Sequence, residues 1–145
     1  MSTRPNFAPY VVLPNAYGSP ANSSSMAVNL ISQPTIVSRL SMINYACVWS
    51  GSSPVGTISV QASDDYELGP EGLNNPPINP GTWNTLPVSY YNGTTTSTVT
   101  AIPVSGSTGN GMIDVATSGF YAIRLIYTAG SGTGSLTVTI NAKVA

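Results

Sequence analysis

Between residues 56 and 63 the side chains alternate strictly: Ile58, Val60 and Ala62 point one way, Thr57, Ser59 and Gln61 the other. A period of two is what a strand with one buried face requires. The same pattern runs through 135–143, with Leu136, Val138, Ile140 and Ala142 inward and Thr137, Thr139, Asn141 and Lys143 outward. Within 120–128, Tyr121, Ile123, Leu125 and Tyr127 share one face and Arg124 stands on the opposite one. The most apolar stretch, 40–49, aligns Ile43, Tyr45, Cys47 and Trp49. Shorter strand candidates lie at 27–32, 35–37, 83–88, 97–104 and 112–116. No window combines helical periodicity with capping residues.

Turn chemistry falls between these segments: Asn92-Gly93, the glycine-rich 106–111 and 130–134, and Ser118-Gly119. Such residues supply the backbone conformations that tight turns need. About eight short strands with regular turn signals predict an all-β protein, an antiparallel β-sandwich of jelly-roll-like type. The glycine clusters resemble phosphate cradles only superficially, because neither is followed by Lys-Ser/Thr and a helix. They read as turns.

Residues 1–25 differ from the rest. Pro5, Pro9, Pro14 and Pro20 block helix and interrupt any ladder. Yet Phe7, Tyr10, Val11, Val12, Leu13 and Tyr17 give the segment more apolar surface than an idle tail carries. The expectation is an extended arm (1–25) ahead of a sandwich domain (26–145), laid on its own domain or on a neighbouring subunit. On the second reading those six residues are the contacts. Removing the arm would then leave a folded sandwich that no longer binds.

Composition changes the picture most on chemistry. Four basic and five acidic residues make up 6 % of 145 residues, and there is no histidine. General acid–base and nucleophilic catalysis draw on the groups that are missing, so a non-enzymatic protein without cofactor is expected. Arg4, Arg39, Arg124 and Lys143 are scattered, and nucleic-acid binding lacks its phosphate-neutralising patch. No apolar run is long enough to span a bilayer as a helix, and the first twenty residues do not read as a secretory signal. Cys47 has no partner for an internal disulfide and reads as a buried thiol.

Four carboxylates, Asp64, Asp65, Glu67 and Glu71, cluster in the long loop 64–82. A solvated loop tip, a cation site and a glycosidase pair are the three readings, although the spacing matches no EF-hand. Trp83, Tyr90 and Tyr91 flank loops and are candidate exposed contacts, including a stacking platform for sugars. Asp114 and Arg124 lie on successive predicted strands, where a hairpin would bring them into reach of each other.

The order of segments has a likeness. Gly56-Thr57-Ile58-Ser59-Val60-Gln61-Ala62-Ser63-Asp64-Asp65 leads through a loop to Trp83-Asn84-Thr85-Leu86, then Ile113-Asp114-Val115. Tyr121-Ala122-Ile123-Arg124-Leu125-Ile126-Tyr127, a Gly/Ser loop and a last strand follow. Across 55–143 this resembles the small β-sandwich structural modules of tailed bacteriophages. The resemblance implies a virion structural protein, such as a capsid decoration (cement) protein on the head surface. It further implies major capsid protein and further copies of itself, often as a trimer, as partners, with no catalytic residue. The competing expectations are a fibre or tail-associated protein, a carbohydrate-binding module of a fibre or adhesin using Trp83, Tyr90, Tyr91 and the acidic loop, and a glycan hydrolase using Asp64, Asp65 or Glu67 with another carboxylate.

Overall fold

The computed structural model describes residues 6–38, 40–69, 77–116 and 119–143, with the backbone alone for 6–8 and 143. Among these residues there is no helix, and ten strands form one antiparallel hydrogen-bonded system. They are β1 (Asn6–Leu13), β2 (Leu30–Ile31), β3 (Thr35–Ile36), β4 (Met42–Ser63), β5 (Asn84–Thr85), β6 (Val88–Tyr91), β7 (Thr96–Val99), β8 (Ile102–Val104), β9 (Thr108–Val115) and β10 (Ala122–Lys143).

Two strands of 22 residues, β4 and β10, organise everything else. They pair from Ala122↔Ser63 at one end to Lys143↔Met42 at the other. A straight strand of that length would reach about 70 Å, far beyond a domain whose radius of gyration should be about 15 Å. The pair therefore bends. Around the first half of β4 and the second half of β10 the order is β1-β10-β4-β9-β6-β7. Around the other halves, β2 and β3 flank β10 while β5 and β8 flank β4. Both halves feed side chains into a single core, so the bent sheet closes on itself as a sandwich.

The corner is visible in the residue pattern. Buried positions run Ile43, Tyr45, Cys47, Trp49 and then Ile58, Val60, Ala62; on β10 they run Ile123, Leu125, Tyr127 and then Leu136, Val138, Ile140. Odd becomes even on both strands. Register shifts between Ala129 and Ser131, and between Ser131 and Thr133, place one extra residue in each strand. An inserted residue reverses the sequence parity while the same face stays on the core. Gly132 makes the bend sterically feasible: its φ is +75°, and a Cβ there would run into the Ser53 carbonyl.

Two expectations are corrected by this. The glycine-rich 130–134 is a corner inside a continuous strand, because bulges use the same small residues as turns. In 106–111, only the start turns. Gly109 and Gly111 sit within β9, and a Cβ at Gly109 would overlap the Trp49 indole.

The N-terminal segment is part of the sandwich. β1 pairs with the second half of β10 as an edge strand, with register shifts on either side of Tyr10-Val11. Its end is locked in place, since Val12 and Leu13 are fully buried in the common core. Of the two surfaces considered for this segment, the structure shows it on its own domain. A chain lacking residues 1–25 would lose this strand, and with it Val12 and Leu13, from the core.

Candidate functional site

The sequence-selected contacts separate into covered and open residues. Val12 and Leu13 are core and unavailable to a partner: both are fully buried where the irregularity between Val11 and Leu13 breaks the alternation of β1. Tyr10 and Tyr90 are half-buried and pack on the core, and burial pushes the Tyr90 phenol pKa up. Val11, Tyr17 and Tyr91 are exposed. The side chain of Phe7 lies outside the described residues.

Trp83 is half-buried and offers no open platform. The Arg124 guanidinium lies 4.2 Å from its ring centroid, and Tyr66 packs at a tilt with centroids 5.6 Å apart. The indole N–H donates to the Pro80 carbonyl at 2.8 Å, and Arg124 Nε donates to Gln61 Oε1 at 2.9 Å. Partial burial lowers the Arg124 pKa. The Trp83 loop thus lies over the outer face of the second half of the sheet, where Gln61 and Arg124 point outward from paired positions.

Asp65 holds that loop. Its carboxylate accepts from the Thr82 amide at 2.6 Å, the Ser63 hydroxyl at 2.8 Å and the Thr82 hydroxyl at 3.0 Å. Those donors, the Thr82 amide first, lower its pKa. Of the readings open to the acidic cluster, a solvated tip, a cation site or a glycosidase pair, Asp65 follows none directly: its carboxylate is engaged in holding the loop. Among the described residues no group of three or more acidic, histidine or cysteine side chains could hold a metal; Glu71 lies outside them. Asp114 and Arg124 do not meet, because β4 runs between β9 and β10. Cys47 is buried, and desolvation pushes its thiol pKa up to about 12.

The outer face of the first half is different. The register aligns Val11, Thr139, Ala46, Met112, Tyr91 and Thr96 in one row across six strands. A neighbouring row holds Thr137, Val48 and Asn110. Val48 is 56 % exposed, Met112 47 % and Val11 42 %. Adjacent strands lie about 4.8 Å apart, so the first row spans about 24 Å. Its members are apolar groups and hydroxyls, without a charge.

On the other side, Asn141, Asn44, Asp114, Ser89 and Thr98 form a third row. They line a groove of about 780 Å³ with Met42, which is 64 % exposed. Asn44 Nδ2 donates to Asp114 Oδ1 at 2.9 Å and fixes both side chains. Sequence reasoning placed Asn141 correctly outward but missed this face. The row is assembled from strands far apart in sequence, and only the register reveals it.

No protein-family model and no curated protein sequence matches the chain. Among solved structures it is similar to the SPBc2 prophage-derived protein YomS, with a TM-score of 0.56 and 12 % identity. The match covers 99 % of this chain and 97 % of that one. At this identity the likeness is one of fold, shared along nearly the whole of both chains.

Proposed function

We propose that the protein is a non-enzymatic virion structural protein of a tailed phage, a decoration protein that docks on the head by the open outer face. The observation that carries this reading is the uncharged row from Val11 to Thr96, with Val48 beside it, which sets four exposed large apolar side chains, Val11, Val48, Tyr91 and Met112, on one face of the sheet. Contiguous exposed apolar groups on a stable domain are a common sign of a protein partner. The fold shared with a prophage-derived protein supports a phage setting. The sparse charge supports contact over chemistry. Contact with major capsid protein subunits, and with further copies in a trimer, belongs to the same proposal.

Copy number in purified virions tests the reading. Hundreds of copies per particle would support a head coat, and a handful would place the protein on the tail or a fibre. Val48→Asp with Met112→Asp should keep the fold and abolish incorporation, because each introduces an unpaired charge into a contact that excludes water. Normal incorporation of that variant would refute the docking face.

A further inference from the structure

We infer that the groove beside the open face is a binding site for a neutral oligosaccharide. The inference rests on the groove alone and holds wherever in a virion the protein sits. The third row offers an amide, an amide, a carboxylate and two hydroxyls at successive strand positions. Opposed side chains across a sheet stand about 5 Å apart, so the five groups form a line about 20 Å long. Among the described residues, the side chains of Asn141, Ser89 and Thr98 have no protein hydrogen-bond partner, and their bonding capacity is open to a ligand.

The chemistry of the lining selects the ligand class. The Asn44–Asp114 hydrogen bond uses one amide proton and one carboxylate oxygen. Asn44 Oδ1 and Asp114 Oδ2 remain as two acceptors on neighbouring strands, held in place by that bond. This pair suits adjacent hydroxyl groups of a sugar, with Asn141, Ser89 and Thr98 as further donors and acceptors. Met42 supplies an apolar wall for the C–H face of a sugar ring. An anion would meet Asp114 without a compensating cation among the lining residues. A divalent ion would find one carboxylate where it needs several oxygen ligands. A peptide strand would find no edge there, because β10, β4, β9 and β6 are each paired on both sides. The sequence suggested sugar binding at Trp83, Tyr90, Tyr91 and the acidic loop; Arg124 occupies the Trp83 ring, and the inferred groove lies in the other half of the sheet, on the β6 strand that also carries Tyr90 and Tyr91.

The test is an NMR titration of the full chain with maltotetraose, cellotetraose and chitotetraose, and with sialyllactose as the acidic control. At least one neutral sugar should shift the amide resonances around Asn44, Ser89, Asp114 and Asn141 at concentrations up to about 10 mM. Asp114→Ala should weaken that sugar at least tenfold, and Asn44→Ala should do so independently if the first variant folds poorly. Val48→Asp with Met112→Asp should leave sugar binding intact, so this site and the docking face fail separately. No response from any neutral sugar, preference for sialyllactose, or shifts confined to Trp83 and Tyr66 would overturn the inference.

Discussion

The two halves of the bent sheet share one core but treat their outer faces in opposite ways. Over the second half, loop 77–83 folds down, Trp83 stacks under Arg124, and Asp65 ties the loop to Ser63 and Thr82. Over the first half no loop descends among the described residues, and Val48, Met112 and Tyr91 stay exposed. The strands β4 and β10 run through both faces, and the halves differ in the strands and loop laid beside and over them. The chain spends a tethered loop on one face and leaves the other bare. It is this bare face that we propose docks on a partner.

The largest expected effect breaks the frame on which both faces depend. Leu13→Ala removes a fully buried side chain from β1 and should cost about 2–5 kcal/mol, read from urea denaturation. If the N-terminal segment were instead a separable arm, the loss would be negligible. Next comes the corner. Gly132→Val places a branched side chain at φ +75° against the Ser53 carbonyl and should cost about 1–3 kcal/mol while shifting the β4–β10 register, visible in amide exchange.

The covered face should respond more mildly. Trp83→Ala or Arg124→Ala should cost about 1 kcal/mol and raise amide exchange across 77–85 without touching β9. Acid should loosen the same loop. Asp65 has a folded pKa below its unfolded value of about 3.9. Its contribution is therefore complete above that value and lost as pH falls through the lower folded pKa. Exchange at the Thr82 amide should rise in that window, and Asp65→Asn should remove the pH dependence.

The smallest effect sharpens the contrast. Val48→Thr and Met112→Thr should change stability by no more than about 0.5 kcal/mol, since neither packs in the core. A large loss would show that the bare face is structural after all.

Much of this was legible from residue types. The alternation in 56–63 and 135–143 gave the inward faces correctly, and the absence of helix followed. Burial of Cys47 was likewise readable from its place in an apolar run. The corner was not legible, because Gly130–Gly134 has the composition of a turn and only pairing shows that the strand continues through it. Trp83 looked exposed because its covering residue, Arg124, is 41 positions away. Val12 and Leu13 looked like contacts because prolines on either side hid the strand they end. The groove was invisible for a similar reason: Asn44, Asp114 and Asn141 become neighbours only through the β9-β4-β10 order.

Methionine oxidation gives the most direct test of the bare face. Met112 is exposed on it, Met42 is exposed in the groove beside it, and Met26 is fully buried as an internal reference. Free protein and intact virions carrying it would be treated with peroxide and each sulfoxide quantified by mass spectrometry. The account predicts that Met112 becomes protected in the particle, approaching the rate of Met26, while the surroundings of Trp83 are unchanged. Equal oxidation of Met112 in the free and assembled protein would contradict it.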